Sequence, residues 1–239
     1  MKLDNYYSED NAGIRISRQQ ASRFAKEIAG DFNPIHDADA KRFCVPGDLL
    51  FALVLARYGL SQRMRFTFAG MVGDGVTLDF PDSSDGALDI VDDNGKKYLG
   101  LQREGDCTTN QDLIHDLTCS YVQFSGQTFP HILVPLMTEK QVMLNPERPL
   151  VIYESMAIDL DHLDIPDLKL ELTDSNLTVS GKRGDVSLQF CLKSSGTVVG
   201  RGEKNMVLSG LRGFDQETVD NLVNDYIARK EAYTGPADE

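Results

Sequence analysis

Cysteine is scarce in this chain, and what there is does not cluster. Cys44, Cys107, Cys119 and Cys191 are widely separated, with no CxxC pair and no Cys/His group, so no structural zinc site or other metal is expected. All four stand in or beside apolar stretches, which reads as reduced, buried thiols. No apolar run approaches the ~18–20 residues that a membrane span needs. The first ten residues, Met1 to Asp10, are polar and acidic with no apolar core of a signal peptide, so the expectation is a cytoplasmic protein that neither crosses nor binds a membrane. Positive charge is also in short supply: 24 Lys and Arg stand against 37 Asp and Glu, a net charge of −13. That balance repels phosphate backbones and argues against a nucleic-acid partner. Arg57, Arg63 and Arg65 form the one compact basic group, and it reads as a solvated face. A serine nucleophile elbow, a phosphate-cradling P-loop and a dinucleotide fingerprint are all missing, and no cofactor is implied.

What is present is an ordinary globular composition, with 41% hydrophobic residues in 239. Residues 17–30 read as a helix capped by Ser17 and ended by Gly30, with Ala21, Phe24, Ala25 and Ile28 at helical spacing. Residues 31–46 are irregular and contain Pro34 and Pro46. The stretch 48–60 is apolar nearly all round, which makes it a buried core helix. The period then changes to two. Strands are expected at 63–71, 76–80, 87–91 and 96–102, with turns at Gly73-Asp74-Gly75 and Asp93-Asn94-Gly95.

The same order returns. A helix is expected over 112–126 and an apolar one over 131–143. Strands follow at 150–160, 168–172, 176–181, 185–193 and 197–210. Two units of helices followed by an antiparallel meander amount to an internal duplication. Each apolar helix would be wrapped by its own meander, and the two sheets would join into one. A last amphipathic helix, capped by Asp215, carries the stripe Val219, Leu222, Val223, Tyr226 and Ile227, to pack on the sheet or on a partner subunit. Thr234 to Glu239 read as a frayed end. The expected organisation is a first unit at 1–111, a second at 112–212, and a helix with tail at 213–239.

The chemically informative stretch is Asp31, Asn33 and His36, placed within six residues of a loop that Pro34 keeps from continuing the helix. A carboxylate and an imidazole across a turn can converge on one water, and move a proton to one atom while its hydroxyl adds to the next. The stretch Gly126-Gln127-Thr128-Phe129-Pro130-His131 echoes Gly30 to His36 with the acid replaced by Gln127, so the second half reads as catalytically empty. His115 and His162 read as surface or core residues.

Residues Phe24, Ile28, Gly30, Asp31, Asn33, Pro34, Ile35 and His36, with Phe43, Val45, Gly47 and Leu49 downstream, resemble the motif of the MaoC-like dehydratases, which include the (R)-specific enoyl-CoA hydratases. The segment 64–78 resembles that family's first long strand and turn. The resemblance implies an α+β double hot-dog fold with an added C-terminal helix. It implies hydration or dehydration of an acyl thioester, carried by CoA or by a carrier protein, with no cofactor. Asp31 and His36 would be the catalytic pair. Asn33 would orient the loop or water, and the Gly47 amide would polarise the thioester carbonyl at a helix N-terminus. Asp48 departs from the family, which carries His-Gly-Met where this chain has Pro46-Gly47-Asp48, and Arg42 is a second departure. A carboxylate at that helix end would repel an enolate unless it points away. Two rival readings stay open: an acyl-ligand binding module that has lost turnover, and an acyl-CoA thioesterase. With both halves in one chain, a monomer or a homodimer is expected.

Overall fold

A computed structural model of the chain describes residues 2–82 and 85–235. Of the tail expected to fray, residues 236–239 lie outside the described residues. Two short strands, β1 (Ser8–Asp10) and β2 (Gly13–Arg15), precede helix α1 (Arg18–Arg23), which runs on as a π-helical stretch, Phe24–Ala29. Ser17 caps α1 in a reciprocal pair with Gln20, and Gly30 ends the stretch with a left-handed φ of 65°. Helix α2 (Gly47–Tyr58) leads into β3 (Leu60–Phe68), β4 (Thr77–Asp79), β5 (Ala87–Asp92) and β6 (Lys97–Thr108). The second half has helices α3 (Gln111–Gly126), α4 (Thr128–His131) and α5 (Leu133–Glu139). Its strands are β7 (Val142–Met143), β8 (Leu150–Leu160), β9 (Lys169–Ser180), β10 (Arg183–Ser194), β11 (Thr197–Ser209) and β12 (Arg212–Gly213). Helix α6 (Gln216–Ala232) follows, with Asp215 as its cap.

Ten strands form one antiparallel sheet in the order β1-β2-β4-β5-β6-β3-β8-β11-β10-β9. Read outward from the β3–β8 junction, each half has the same order: first strand, last, third, second. That repeat, with the first strand of each meander joined across the middle, is the double hot-dog architecture. Residues Arg63 to Thr67 pair with Asp159 to Ser155 across the junction.

The inner face follows the period of two. Met64 and Phe66 on β3, Met156 and Ile158 on β8, and Leu188 and Phe190 on β10 are all buried. Helix α2 is buried from Asp48 to Leu55. It shares its core cluster with Leu113, Leu117, Tyr121 and Val122 of α3.

The expected helix over 131–143 is corrected. Within it only α5 (Leu133–Glu139) is a continuous helix and Val142–Met143 is strand β7; α5 buries one side, Leu133, Leu136 and Met137, against β9, β10 and β11. Just before it, Pro130 kinks α4, because the residue before a proline avoids helical angles, and Phe129 is extended (φ −105°, ψ 129°). The two strands expected at 168–172 and 176–181 are one strand, β9. Helix α6 packs across the loop after α1 and not on the sheet. Tyr226 and Arg229 meet that loop; Val219 is buried as well, while Ile227 is exposed. The cysteines are all free, but Cys107 is exposed and Cys119 half-buried, which corrects the expectation of four buried thiols.

Candidate active site

The π-helical widening at the end of α1 sets the site. In a π turn the amide reaches back one residue further than in an α turn. The Gly30 amide closes it on the Ala25 carbonyl, and the Asp31 amide bonds the same carbonyl at 2.8 Å. The chain then turns on two short side-chain bonds. Asp31 Oδ1 accepts from the Asn33 amide at 2.9 Å, and Asn33 Oδ1 accepts from the Ile35 amide at 3.2 Å, capping a 3₁₀ turn over Pro34–His36. Asn33 therefore shapes the loop.

His36 is fixed from the other side. Its Nδ1 lies 2.7 Å from the Cys44 carbonyl, which can only accept, so Nδ1 carries the hydrogen and Nε2 faces Asp31. Nε2 stands 3.6 Å from Asp31 Oδ2. That is too long for a direct hydrogen bond and short enough for one water to touch both. Both side chains keep some exposure, 24% for Asp31 and 13% for His36.

The pair lines a cavity of about 630 Å³, walled mainly by apolar side chains that include Leu50, Phe68, Val72, Leu133 and Met206. Gly47 opens α2 beside it. A Cβ at Gly47 would lie 2.9 Å from Tyr153 Cδ1 and 3.1 Å from Phe68 Cε1, so only glycine fits under this stacked ring pair. The Leu49 amide bonds the Pro46 carbonyl at 3.1 Å, while the Gly47 amide at the very start of α2, with the helix dipole, is left for a ligand oxygen. Gln127 and His131, the second-half counterparts, are exposed and do not line the cavity.

Asp48 is 7% exposed and turned inward. Its Oδ2 accepts from Ser125 Oγ at 2.5 Å, and Ser125 Oγ accepts from Lys204 Nζ. Burial pushes the Asp48 carboxyl up, against the opposing pull of Lys204 and of the Ser125 hydrogen bond. Burial pushes the Lys204 ammonium down, against Asp48 and Asp31. Lys204 Nζ sits 4.3 Å from the Tyr153 ring centroid, and the Tyr121 and Tyr153 hydroxyls bond to each other. Burial raises both phenols well above their usual range.

Sequence reasoning missed Ser125 and Lys204. Lys204 had a signal: it shares the inward phase of β11 with Met206 and Leu208, where a lysine has no apolar reason to be. Ser125 had none, since its position depends on α3 passing close to Ala29. A Cβ at Gly126 would lie 2.1 Å from the Ala29 carbonyl oxygen.

Helix α6 lies over the rim. Tyr226 Oη is 3.2 Å from the Gly30 and Gly126 carbonyls and accepts from the Phe32 amide at 3.3 Å. Burial pushes this phenol up to about 12. Asp37 pairs with Lys26 and Arg229, each at 2.8 Å, fastening the loop to α1 and α6. Elsewhere, Arg57, Arg63 and Arg65 pair with Glu9, Glu104 and Glu203, so the basic group is internally compensated.

A family model described as "Protein of unknown function (DUF3581)" matches residues 1–217. The chain belongs to the DUF3581 family. The match ends at the start of α6. No curated protein matches the chain. Among solved structures, an acyl-CoA thioesterase II, TesB2, from Mycobacterium marinum is 10% identical, covering 90% of this chain and 100% of its own, with a TM-score of 0.43. A conserved protein of unknown function with a hot dog fold from Alicyclobacillus acidocaldarius is 10% identical, covering 87% and 97%, with a TM-score of 0.44. A MaoC-like dehydratase is 8% identical, covering 87% and 99%, with a TM-score of 0.40. Likeness at these scores carries no argument, and the fold of this DUF3581 chain rests on its own strand order. No helix among the described residues is long and apolar enough to cross a membrane.

Proposed function

We propose that this chain processes acyl thioesters, and that it hydrates a 2-enoyl thioester or dehydrates the 3-hydroxyacyl form, with Asp31 and His36 as the acid–base pair. The observation that carries this reading is the pair itself: two titratable groups 3.6 Å apart, on the wall of a largely apolar cavity of about 630 Å³. A water held between them loses a proton to one member as its oxygen bonds to C3. The other member delivers a proton to C2. The amide of Gly47 faces the thioester oxygen, on which charge gathers as the double bond is consumed. Asn33 keeps the loop in shape. The acyl chain enters the cavity, and the carrier, CoA or an acyl carrier protein, stays outside.

Asp48 favours a second reading. A buried carboxylate in the first turn of α2 opposes the negative charge of an enolate, with Lys204 as the counter-charge to that carboxylate. On this reading the chain binds an acyl ligand without turning it over.

One experiment separates the two. Crotonyl-CoA or a longer 2-enoyl-CoA should lose its conjugated absorbance when mixed with the protein. Asp31→Asn should slow that loss by about 10²–10⁴ and leave the melting temperature within a few degrees. Thermal stabilisation by an acyl-CoA without any loss of absorbance would decide for the binding module.

A further inference from the structure

The hydration chemistry leaves one polar cluster of the cavity unused. Asp48 on α2, Ser125 on α3 and Lys204 on β11 come from three elements and both halves of the chain, and all three line the cavity. Asp48 is 7% and Lys204 3% exposed. The Lys204 ammonium donates to Ser125 Oγ, and Ser125 donates to Asp48 Oδ2 at 2.5 Å. Asp48 Oδ1 is buried too, yet it has no hydrogen-bond partner among the described residues. A buried carboxylate oxygen without a donor is costly, and such groups are rare unless something else supplies the hydrogen.

The surroundings narrow what that donor is. Lys204 already supplies one positive charge, so a ligand ammonium would be repelled by it. A ligand carboxylate or phosphate would be repelled by Asp48. A neutral hydroxyl meets both neighbours: its hydrogen goes to Asp48 Oδ1, and its oxygen accepts from an ammonium that has three hydrogens and gives one to Ser125. The apolar walls around the cluster give an alkyl chain no other reason to find a buried lysine and carboxylate, joined through a serine, beside it.

We infer that Asp48, Ser125 and Lys204 form a subsite for a hydroxyl group on the acyl part of the ligand, so that the chain selects hydroxylated acyl thioesters over plain alkyl ones. The inference rests on the acyl-thioester reading of the cavity. Asp48 sets the specificity, and Ser125 and Lys204 hold it in place.

The test uses butyryl-CoA and its 2-, 3- and 4-hydroxy derivatives, titrated calorimetrically into the full chain carrying Asp31→Asn so that none is consumed. One hydroxy isomer should bind about 10- to 100-fold more tightly than butyryl-CoA, the range for a hydrogen bond to a charged group. The advantage should vanish when Asp48→Met and Lys204→Met are added together. That double change removes the buried pair as a unit, which proteins tolerate far better than removal of one partner. If the double variant does not fold, Asp48→Asn, which keeps the volume, should cut the advantage at least severalfold. Butyryl-CoA binding as well as every hydroxy isomer, or an advantage that survives these substitutions, would overturn the subsite and leave the thioester reading standing. No binding by any of the four would remove both.

Discussion

Lys204→Met tests the electrostatics of the cavity. The substitution removes the cation bonded to Ser125 and leaves Asp48 buried with its carboxylate uncompensated. Breaking a buried ionic contact from one side costs about 3–5 kcal/mol. At roughly 2–4 °C per kcal/mol for a chain of this size, the melting point should fall by about 10 °C. Asp48→Met with Lys204→Met should recover most of the loss, giving a coupling of about 2–3 kcal/mol in a double-mutant cycle. The pH dependence has a definite sign. Burial raises the Asp48 carboxyl in the folded protein above its ordinary value of 3.8, and Lys204 opposes that rise. Without Lys204 the folded value climbs further. Between 3.8 and that value the folded chain holds a proton that the unfolded chain has released. Stability of the single variant should therefore fall by about 1.4 kcal/mol per pH unit as pH rises through this window, and level off above it. In the double variant this fall should be absent. Urea denaturation between pH 4 and 8 measures all of this. A single variant within about 1 kcal/mol of the parent at pH 7, with no extra slope, would refute the account of a carboxylate held by lysine through serine.

Other outcomes follow from single contacts. Gly47→Ala places a Cβ 2.9 Å from the Tyr153 ring and should destabilise the fold by about 1–3 kcal/mol in urea melts. It should also weaken acyl-thioester binding, since the α2 amides move with it. Tyr226→Phe leaves the Phe32 amide and the Gly30 and Gly126 carbonyls without their shared phenol. It should cost about 1–3 kcal/mol and speed amide exchange in α6 ahead of the sheet.

Much of the fold was legible because periodicity reports burial directly. The Ser17 cap, the Asp215 cap and the strand at 150–160 all appear where their patterns place them. The helix at 131–143 runs shorter than expected because Leu133, Leu136 and Met137 give an apolar stretch that does not mark where α5 stops and β7 starts. Of the candidate site, the Asp31 to His36 loop was readable since its geometry is local: Asp31 and Asn33 each bond an amide two residues on. The Asp48–Ser125–Lys204 cluster was not readable, because its members are 77 and 79 residues apart and meet only through tertiary packing. The sequence leaves the direction of Asp48 open, and it is settled by Ser125 on α3, to which the carboxylate turns.

That long-range cluster bears on whether the duplicated halves can stand apart. The first half supplies Asp31, His36, Gly47 and Asp48, and the second supplies Ser125, Tyr153 and Lys204 to the same cavity. A fragment ending at residue 110 would expose the β3 edge that pairs with β8, and would strip Asp48 of its serine and lysine. It would also lose Leu113, Leu117 and Tyr121 of α3 from the core around α2. An unpaired apolar edge and an unpaired carboxylate in one unit both favour aggregation or unfolding. The fragments 1–110 and 111–239, made separately, should therefore be insoluble or unfolded by circular dichroism and amide exchange. Co-expression should recover a 1:1 complex that binds acyl thioester. A first fragment that folds alone and binds ligand as the full chain does would mean that the second half contributes nothing to the cavity, and would overturn the shared-site reading.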